Sequence, residues 1–386
     1  MNLDLPPLAR EIKQLCHDFA AREIREQAAG WWEREEFPSD VFLRMGELDL
    51  MGMLVPEQWG GSEAGMLAFV AGMEEIGGAD QSVGAAWNAH TTIGTLGLLV
   101  YGTDSQKERW LRPLAEGKAI AGFGLTEPEA GSDAAGIRTT ATRQDGGWRI
   151  DGQKTFISNA GTDISLGVTI LARVQEEGSD PEKPGYVALF VPTGTEGYVF
   201  GTRFKKLGWH ALDTRELFFE GCWVSDEHVI GDVGSGLRQF LQILDPGRIS
   251  VAALSLSLAQ ACLEMAIEQA RNRRQFGRRI GDFQAIRHKL ADMALEVEAA
   301  RALVYRAAWL YDEGREHRKE AAMAKLHASE VANRVASEAV QIHGGMGYIL
   351  ESRVSRFYAD AKVLEIGEGT NEIQRDVIGR LVLGRE

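Results

Sequence analysis

The sequence predicts an α+β protein in which a β domain lies between two helical parts. Apolar residues recur at helical spacing from Leu8 to about Gly117, and short strand-like runs follow between Ile120 and Gly234. Helical spacing returns after Gly236 and continues towards the end of the chain. We therefore expect an N-terminal helical domain at 1–119, a middle β domain at 120–235 and a C-terminal helical domain at 236–386.

The N-terminal part begins with LAREIKQLCHDFAAREI, whose apolar positions are spaced for one helical face. A second helix is predicted to start at Pro38-Ser39-Asp40, because proline and short polar residues favour a first turn. In the middle part the runs SLGVTILARV, GYVALFVP and ELFFEGCWV predict strands. The Asp151-Gly152 pair predicts a hairpin turn, and the polar segment 176–185 predicts a loop.

The C-terminal part carries a long helical pattern in LADMALEVEAARALVYRAAWLYDEG. Its apolar residues trace one broad face: Leu290, Met293, Val297, Val304, Ala308 and Tyr311. The sequence shows no internal repeat, so the three parts are expected to be distinct units.

The composition is that of a globular protein and excludes several classes of function. The chain has 42 Lys and Arg against 56 Asp and Glu, a formal net charge of −14. Nucleic acids and anionic membranes bind mainly to cationic surface, so neither is an expected partner. Three separated cysteines without a CxxC pair predict neither a disulfide framework nor a zinc site. With no signal-peptide pattern and no apolar stretch of membrane-spanning length, we expect a cytoplasmic location.

The segment IGEGTNEIQR contains the most informative residue, Glu368, between Gly367 and Gly369. Glycines on both sides let a ligand approach closely and leave the carboxylate unshielded. A carboxylate in a desolvated pocket has a raised pKa and becomes a usable general base. The alternative is an ordinary helix N-terminus, with Asn371 as its cap and Glu368 as a nearby anion.

Three further segments could bind a ligand, and each also has a structural explanation. GFGLTEPEAGSD could present N–H and hydroxyl groups to a ring or a carbonyl, or it could be a loop that crosses between domains. NRRQFGRRIGDFQAIRHKLADMA carries five arginines that could hold a pyrophosphate or form a solvated charged face. In QIHGGMGYI the glycines would admit a flat ligand or another backbone, and His343 suits packing or cofactor contact better than catalysis. The sequence contains no Rossmann or P-loop motif and no metal-spaced histidine pair.

Together GLTEPEAGSD, TFISNAG, RRQFG, QIHGGMGY and IGEGTNEIQR resemble the acyl-CoA dehydrogenase family in their order and separations. Each motif alone is weak, whereas five in register are specific, and the resemblance covers nearly the whole chain. It implies the family's fold: a helical domain, a middle β-barrel or sandwich domain and a C-terminal four-helix bundle. It also implies FAD as cofactor and a homo-oligomer, usually a tetramer built as a dimer of dimers.

The resemblance implies roles for individual residues, and Glu368 matches the catalytic base. Residues that match positions around the flavin ring are Phe123, Leu125, Thr126, Ser132, Phe156 and Ser158. Residues that match other FAD contacts, several of them made across subunits, are Arg273, Phe276, Gln284, Gln341, Gly344, Gly345, Thr370 and Glu372. Residues that match acyl-CoA contacts are Ser132, Asp245, Arg248 and Gly369. The resemblance implies no metal.

Departures from the family's pattern bear on the substrate and on the base. Phe156 and Ser158 stand where many members have Trp and Thr, and they keep an aromatic wall and a hydroxyl. Gly247 stands where isovaleryl- and long-chain-type members carry the base, so Glu368 remains the candidate. Gly84 stands where glutaryl-type members place an arginine, which removes support for a dicarboxylate substrate. The expected tail pocket is lined by Trp87, Leu96 and Leu99.

The implied reaction removes the α-proton and β-hydride of an acyl-CoA thioester and gives the trans-2-enoyl-CoA. Glu368 is expected to take the proton, while flavin hydroxyls and the Glu368 N–H polarise the thioester carbonyl. Electrons are then expected to pass to an electron-transfer flavoprotein. Enoyl-CoA reduction and acyl-CoA oxidase activity are alternatives on the same fold. A non-catalytic DNA-binding relative is a third, and the net charge of −14 speaks against it.

Overall fold

A computed structural model describes residues 5–176 and 185–384, and it confirms the predicted order of helices, strands and helices. Most of the polar segment predicted as a loop at 176–185 lies outside the described residues. The domain boundaries after residues 119 and 235 stay our predictions.

The N-terminal part is helical. Its α-helices among the described residues are α1 (Pro7–Phe19), α2 (Ala28–Arg34), α3 (Ser39–Glu47), α4 (Gly65–Ala79), α5 (Gln81–Ala89), α6 (Leu96–Tyr101), α7 (Asp104–Gln106) and α8 (Arg112–Ala115). Wider π-helical turns extend α1 over Ala20–Ile24 and α5 over His90–Gly94. Asp80 caps α5, because its Oδ1 accepts the Val83 N–H at 2.9 Å. This cap fixes the start of a helix that reaches the candidate active site.

The middle part is a β-sheet. Its strands are β1 (Ile120–Gly124), β2 (Thr140–Gln144), β3 (Gly147–Ser158), β4 (Ser165–Gln175), β5 (Tyr186–Pro192), β6 (Tyr198–Arg203) and β7 (Thr214–Ser225). The hydrogen-bonded order is β1-β4-β2-β3-β7-β6, and β5 also pairs with β4. β1 and β2 run parallel to β4, whereas the other pairs are antiparallel. All three β-rich runs of the sequence form strands.

The predicted hairpin turn at Asp151-Gly152 is wrong, because both residues lie inside β3. The turn falls instead at Asp145-Gly146, where φ is +49° and +73°. Two positive φ values match the twist of a two-residue hairpin between β2 and β3. Gly152 marks a register shift, where the backbone passes so close to Thr139 that a Cβ would lie 2.7 Å from its Cα.

The C-terminal part is dominated by long helices. Its elements are α9 (Gly236–Asn272), the hairpin strands β8 (Arg274–Gln275) and β9 (Arg278–Arg279), α10 (Gln284–Asp312), α11 (Arg318–His343), α12 (Arg353–Ala361) and α13 (Asn371–Val382). α9, α10, α11 and α13 form the predicted bundle. The apolar face predicted for α10 is confirmed: Met293, Val297, Val304 and Ala308 are buried, and Leu290 and Tyr311 pack against the same core.

By length and composition alone α9 could cross a membrane, contrary to our expectation that no segment would. However, 83% of its apolar stretch is buried inside the protein, as in the central helix of a core. α4 and α11 pack against α9, and small residues allow a close approach.

Candidate active site

Glu368 lies in the short loop between α12 and α13, in a left-handed backbone conformation with φ of +51°. Gly369 follows with φ of +92°. Positive φ is costly for a residue with a side chain, and such strain is often found at functional sites. α13 begins directly afterwards and is capped by Thr370, whose hydroxyl accepts the Ile373 N–H at 3.4 Å. The alternative that made Asn371 the cap is therefore wrong.

A buried cation, Lys325 of α11, holds the loop against the helical bundle. Its Nζ donates to the Gly369 carbonyl at 2.8 Å and to Asn371 Oδ1 at 3.1 Å. Gln374 Nε2 donates to the same carbonyl at 2.9 Å, and Ser329 Oγ donates to the same Asn371 oxygen at 3.0 Å. These bonds fix the strained loop on the helical bundle. Lys325 carried no signal in the sequence, since it sits 43 residues before Glu368 inside a regular helix.

The carboxylate of Glu368 points inward. Although part of the residue is exposed, its Oε2 is inaccessible to solvent and has no hydrogen-bond partner among the described residues. Oε1 accepts a hydrogen bond from Asn88 Nδ2 at 3.2 Å. Burial raises the pKa of Glu368 to about 7, against the opposing effects of Asn88, Lys325 and Arg248. A carboxylate with such a pKa can accept a proton near neutral pH.

Glycine at position 247 makes room for this carboxylate. A Cβ on Gly247 would lie well inside van der Waals distance of Glu368 Oε2, and 3.3 Å from Ile93 Cγ2. The next residue, Arg248, is almost fully buried and its Nη1 donates to Asp245 Oδ1 at 2.6 Å. Burial lowers the pKa of Arg248 and raises the pKa of Asp245. The predicted substrate contacts Asp245, Arg248 and Gly369 thus cluster around the predicted base.

The residues predicted around a flavin ring lie together at one edge of the sheet. Phe123 and Leu125 are in and just after β1, and Phe156 and Ser158 end β3. The Thr155 N–H donates to the Thr126 carbonyl at 2.9 Å, which joins the two segments. Phe156 has φ of +59°, and the residue is 64% exposed although its ring lies beside that of Phe204. Ser132 is exposed on the loop that follows Thr126.

This edge connects to Glu368 through α5. Asn159, directly after Ser158, donates from Nδ2 to the Ala86 carbonyl at 2.9 Å. Ala86 is two residues before Asn88, which contacts Glu368. The predicted aromatic wall and the predicted base therefore belong to one site.

A buried ion pair that the sequence did not reveal holds the loop after β1. Lys154 and Glu127 are both nearly inaccessible to solvent, and Nζ lies 2.7 Å from Oε1. Glu127 also accepts the N–H groups of Arg138 and Thr139 at 2.5 and 3.0 Å, and Lys154 donates to the Leu125 carbonyl at 3.1 Å. The pair ties both ends of the loop that carries Thr126 and Ser132.

Six of the other predicted cofactor residues are not brought to Glu368 within one chain, whereas two are. Arg273 directly follows α9, 26 residues after Gly247, which corresponds to about 39 Å along a helix. Phe276 stands at the tip of the β8–β9 hairpin, 91% exposed, and Gln284 begins α10 nearby. Gln341, Gly344 and Gly345 lie at the far end of α11 from Lys325, while Thr370 and Glu372 adjoin Glu368 in sequence.

The predicted tail pocket needs correction at Trp87. Its ring packs against Phe69, and its Nε1 donates to the Leu50 carbonyl at 2.9 Å, inside the helical core. Leu99 packs with a separate apolar cluster, and Leu96 is buried. At Gly84 a Cβ would lie 2.8 Å from both Gly77 Cα and Leu254 Cδ1, so helix packing excludes an arginine there.

A separate cleft of about 1300 Å³ opens between α1, α4 and α10. Glu74, a buried acid in its wall, is already paired: it accepts from Tyr305 Oη at 2.6 Å, from Lys13 at 3.2 Å and from Arg301. Although burial opposes it, Arg301 and Lys13 hold the pKa of Glu74 below its usual range. The cleft contains no predicted site residue and its acid is already paired, so we do not assign it to the reaction.

The Glu368 site suits proton abstraction beside a flat aromatic cofactor. The exposed side chain of Phe156, whose backbone has a positive φ, and the hydroxyls of Thr126 and Ser158 offer the wall and the polar groups that an isoalloxazine ring requires. Within residues 5–176 and 185–384 no group of three or more His, Cys, Asp or Glu could hold a metal ion. The donor set therefore fits FAD, and the described residues form no cluster of metal ligands.

The chain is similar to known proteins along nearly its whole length. Models of the N-terminal, middle and C-terminal domains of acyl-CoA dehydrogenase match residues 7–118, 122–222 and 234–383. The probable acyl-CoA dehydrogenase YngJ of Bacillus subtilis is 43% identical over 383 residues, 99% of this chain and 100% of that protein. Butyryl-CoA dehydrogenase from Megasphaera elsdenii superposes with a TM-score of 0.95 at 36% identity, covering 99% of this chain and 100% of that one. A structure from work on the electron transferring flavoprotein of Acidaminococcus fermentans superposes with a TM-score of 0.96 at 36% identity, and it too covers 99% of this chain and 100% of that one.

Proposed function

Because the chain belongs to the acyl-CoA dehydrogenase family, we propose that it oxidises the Cα–Cβ bond of an acyl-CoA thioester to a trans-2-enoyl-CoA. The family is FAD-dependent, and this chain is an enzyme of that type. One observation above all supports the proposed reaction. It is the buried Glu368 carboxylate, with a pKa near 7 and one free oxygen that faces the space left by Gly247.

In this proposal Glu368 Oε2 accepts the α-proton. The pKa of about 7 leaves a large fraction of the carboxylate ionised at neutral pH, and burial keeps water away from it. The Glu368 N–H is positioned by the loop that Lys325 and Gln374 hold, and it would donate to the thioester carbonyl. Bound FAD supplies the acceptor for the β-hydride.

The edge of the sheet formed by Phe123, Leu125, Thr126, Phe156 and Ser158 would hold the flavin ring. Ser132, Asp245, Arg248 and Gly369 would contact the acyl-CoA. For Asp245, Arg248 and Gly369 the support is their position around Glu368, either in sequence or through the buried Arg248–Asp245 pair, whereas Ser132 lies on the loop after Thr126. The charge of Arg248 also acts on the Glu368 carboxylate and opposes the rise in its pKa.

We also propose a homotetramer in which each FAD contacts more than one subunit. The distance of about 39 Å along α9 separates Arg273 from the base of its own chain, so its FAD contact would serve a neighbour. Exposed aromatic residues at the two outlying segments, Phe276 at 91% and Tyr348 at 87%, are consistent with surfaces that a partner covers. Thr370 and Glu372, with Gln284, Gln341, Gly344 and Gly345, would complete the cofactor contacts.

The proposed electron acceptor is an electron-transfer flavoprotein. The similarity to the structure from work on such a flavoprotein supports this choice. The proposed substrate is an uncharged short- to medium-chain acyl-CoA, and the similarity to butyryl-CoA dehydrogenase supports the short end of that range. A cytoplasmic location is our proposal as well, and cell fractionation would test it.

The experiment that tests the function is anaerobic mixing of the purified holoenzyme with acyl-CoAs of graded length. We expect bleaching of the oxidised flavin spectrum and formation of 2-enoyl-CoA, with slow reoxidation by oxygen and fast reoxidation by an electron-transfer flavoprotein. Rapid hydrogen peroxide formation would favour an oxidase instead. Failure of every acyl-CoA to bleach the flavin, with reoxidation of reduced enzyme by enoyl-CoA, would favour a reductase.

A further inference from the structure

Asn88 is a polar residue at the end of α5 that makes direct contact with the Glu368 carboxylate. Its Nδ2 donates to Oε1 at 3.2 Å, although 280 residues separate the two in sequence. The side chain is 4% exposed, and its Oδ1 has no partner among the described residues. A buried amide with one unsatisfied oxygen costs stability, so its retention beside the base calls for an explanation.

The amide can have only one orientation while the carboxylate is ionised. Rotating it by 180° would place Oδ1 against Oε1, two acceptors in contact with no proton between them. The donor therefore faces Glu368. The helix that carries Asn88 is fixed in place, because Asn159 Nδ2 donates to the Ala86 carbonyl at 2.9 Å.

Asn88 differs from the charged groups that face Glu368. Lys325 of α11 donates to the loop backbone and Asn371, and Arg248 of α9 donates to Asp245, so neither shares a hydrogen bond with the carboxylate in the structure. Both cations act on it through space. Lys325 in turn faces Glu365 and Glu372 as well as Glu368. Asn88 is thus the one described side chain that both orients the carboxylate and stabilises its charge by a hydrogen bond.

We propose that Asn88 is the positioning residue of the base: it holds Oε1, so that Oε2 faces the substrate α-carbon, and it favours the ionised form. The inference rests on the proposed function for its kinetic consequences, and it concerns the orientation of a side chain rather than a contact with substrate. The Asn88–Glu368 hydrogen bond also explains how a base on a glycine-flanked loop is kept in one rotamer, because Asn88 belongs to α5, a regular helix of the N-terminal part.

The test compares Asn88→Ala and Asn88→Asp with the wild-type holoenzyme across the pH range. In Asn88→Ala the loss of one hydrogen bond to a charged group should raise the midpoint of the kcat/KM profile by about one pH unit. Activity at pH 7 should fall, and much of it should return at higher pH. Asn88→Asp keeps the shape of the side chain but places a second carboxyl group there, so its midpoint should rise further.

Thr92→Val is the matched control. It removes a buried hydroxyl that bonds to the Asn88 carbonyl and lies near Ser250, but it leaves the amide beside Glu368 in place. Its pH midpoint should equal that of the wild type. A uniform loss of activity in Asn88→Ala with an unchanged midpoint would show a merely structural role and overturn the proposal.

A second measurement separates this inference from the proposed function. The infrared band of the protonated Glu368 carboxyl group, identified by its absence in Glu368→Gln, can be titrated without turnover. Its midpoint should rise in Asn88→Ala and again in Asn88→Asp. If no acyl-CoA reduces the wild-type flavin, the proposed function fails while this titration still stands. If the band titrates identically in all three proteins, the positioning role fails.

Discussion

At the scale of the single residue, Glu368 combines a strained backbone with a buried, half-satisfied carboxylate. Its pKa of about 7 predicts that kcat/KM rises with pH, with a midpoint near 7, because only the ionised form accepts the α-proton. Glu368→Gln should keep its FAD and lose about a thousandfold in the rate of flavin reduction. Stopped-flow mixing with acyl-CoA from pH 6 to 9 measures both, and appreciable reduction by the variant would place the base elsewhere.

The same residue has a stability cost whose sign follows from its raised pKa. The unfolded chain releases this proton near the ordinary pKa of 4.5, and the folded protein releases it only near 7. Stability therefore falls as pH rises through that window, and the cost of the buried charge persists above it. At pH 8.5, thermal unfolding of the Glu368→Gln holoenzyme is expected at a higher temperature than that of the wild type.

Single residues also show where the sequence was informative. Glu368 was a candidate because its glycines and the following helix lie within ten residues of one another, and the resemblance to a family implied its role as the base. Asn88 was not, since its role depends on a contact across 280 residues. The sequence instead favoured its neighbour Trp87, a large apolar side chain, as part of the tail pocket. In α5 the Trp87 ring points into the core, and the Asn88 amide points towards the base.

At the scale of the element, the loop between β1 and β2 depends on the buried Lys154–Glu127 pair. Burial lowers the pKa of Lys154 to about 8, and removal of its partner would leave an uncompensated cation. We expect Glu127→Gln to lower the free energy of unfolding by about 3 kcal/mol and to weaken FAD retention. Urea unfolding and the absorbance ratio of flavin to protein measure the two effects.

The control for this loop is Glu129→Gln, two residues after Glu127. It removes an exposed carboxylate whose Oε2 lies 2.5 Å from Arg138 Nη1. A surface pair of this kind contributes about 0–1 kcal/mol, so FAD content and stability should stay close to the wild-type values. Equal effects of the two substitutions would contradict a special role for the buried pair.

The types of the elements were predicted correctly, whereas the positions of one hairpin turn and one helix cap were not. The strands and long helices follow from apolar periodicity, a property of continuous segments. The hairpin was misplaced because Asp145-Gly146 and Asp151-Gly152 have the same chemistry. Only the strand pairing, of Asp151 with β2 and of Gly152 with β7, shows that the second pair lies within a strand. The cap of α13 was misplaced by one residue because Asn371 is committed to Lys325 and Ser329, which leaves Thr370 to cap.

At the scale of the whole molecule, the separation of Arg273 from its own active site predicts cofactor sharing between subunits. Arg273→Ala should reduce the FAD bound per chain, and loss of FAD should loosen the assembly, because a ligand that bridges subunits stabilises it by mass action. Arg271→Ala, two residues earlier on the exposed end of α9, is the control. Light scattering with flavin absorbance measures both quantities, and a stable monomer with full FAD content would contradict the shared site.

The order of the three parts was predictable from the sequence, whereas the sharing of one FAD between distant segments of different subunits is implied only by the resemblance and stays a prediction. The apolar residues of α13 show the reason. Their helical spacing predicts a buried face, yet Ile373, Val377 and Ile378 are only half-buried and Val382 is exposed in a single chain. Periodicity in the sequence shows that one face of a helix is apolar, but it does not show which chain packs against that face.

The choice of substrate is also a property of the whole molecule, since in the proposed reaction the acyl chain would lie among groups from α5, α9 and the loop of Glu368. Packing excludes an arginine at Gly84, and the buried Arg248 is already paired with Asp245. A carboxylate at the tail of the substrate would thus be buried without a free cation, at a cost of several kcal/mol. An uncharged chain instead gains about 0.8 kcal/mol for each buried methylene until the pocket is full.

We therefore expect kcat/KM for butyryl- and octanoyl-CoA to exceed that for adipyl-CoA by at least a factor of about 100, measured with an electron-transfer flavoprotein as acceptor. A preference for adipyl-CoA would require Arg248 to leave Asp245 and pair with the substrate, and Asp245→Asn would then strengthen that preference.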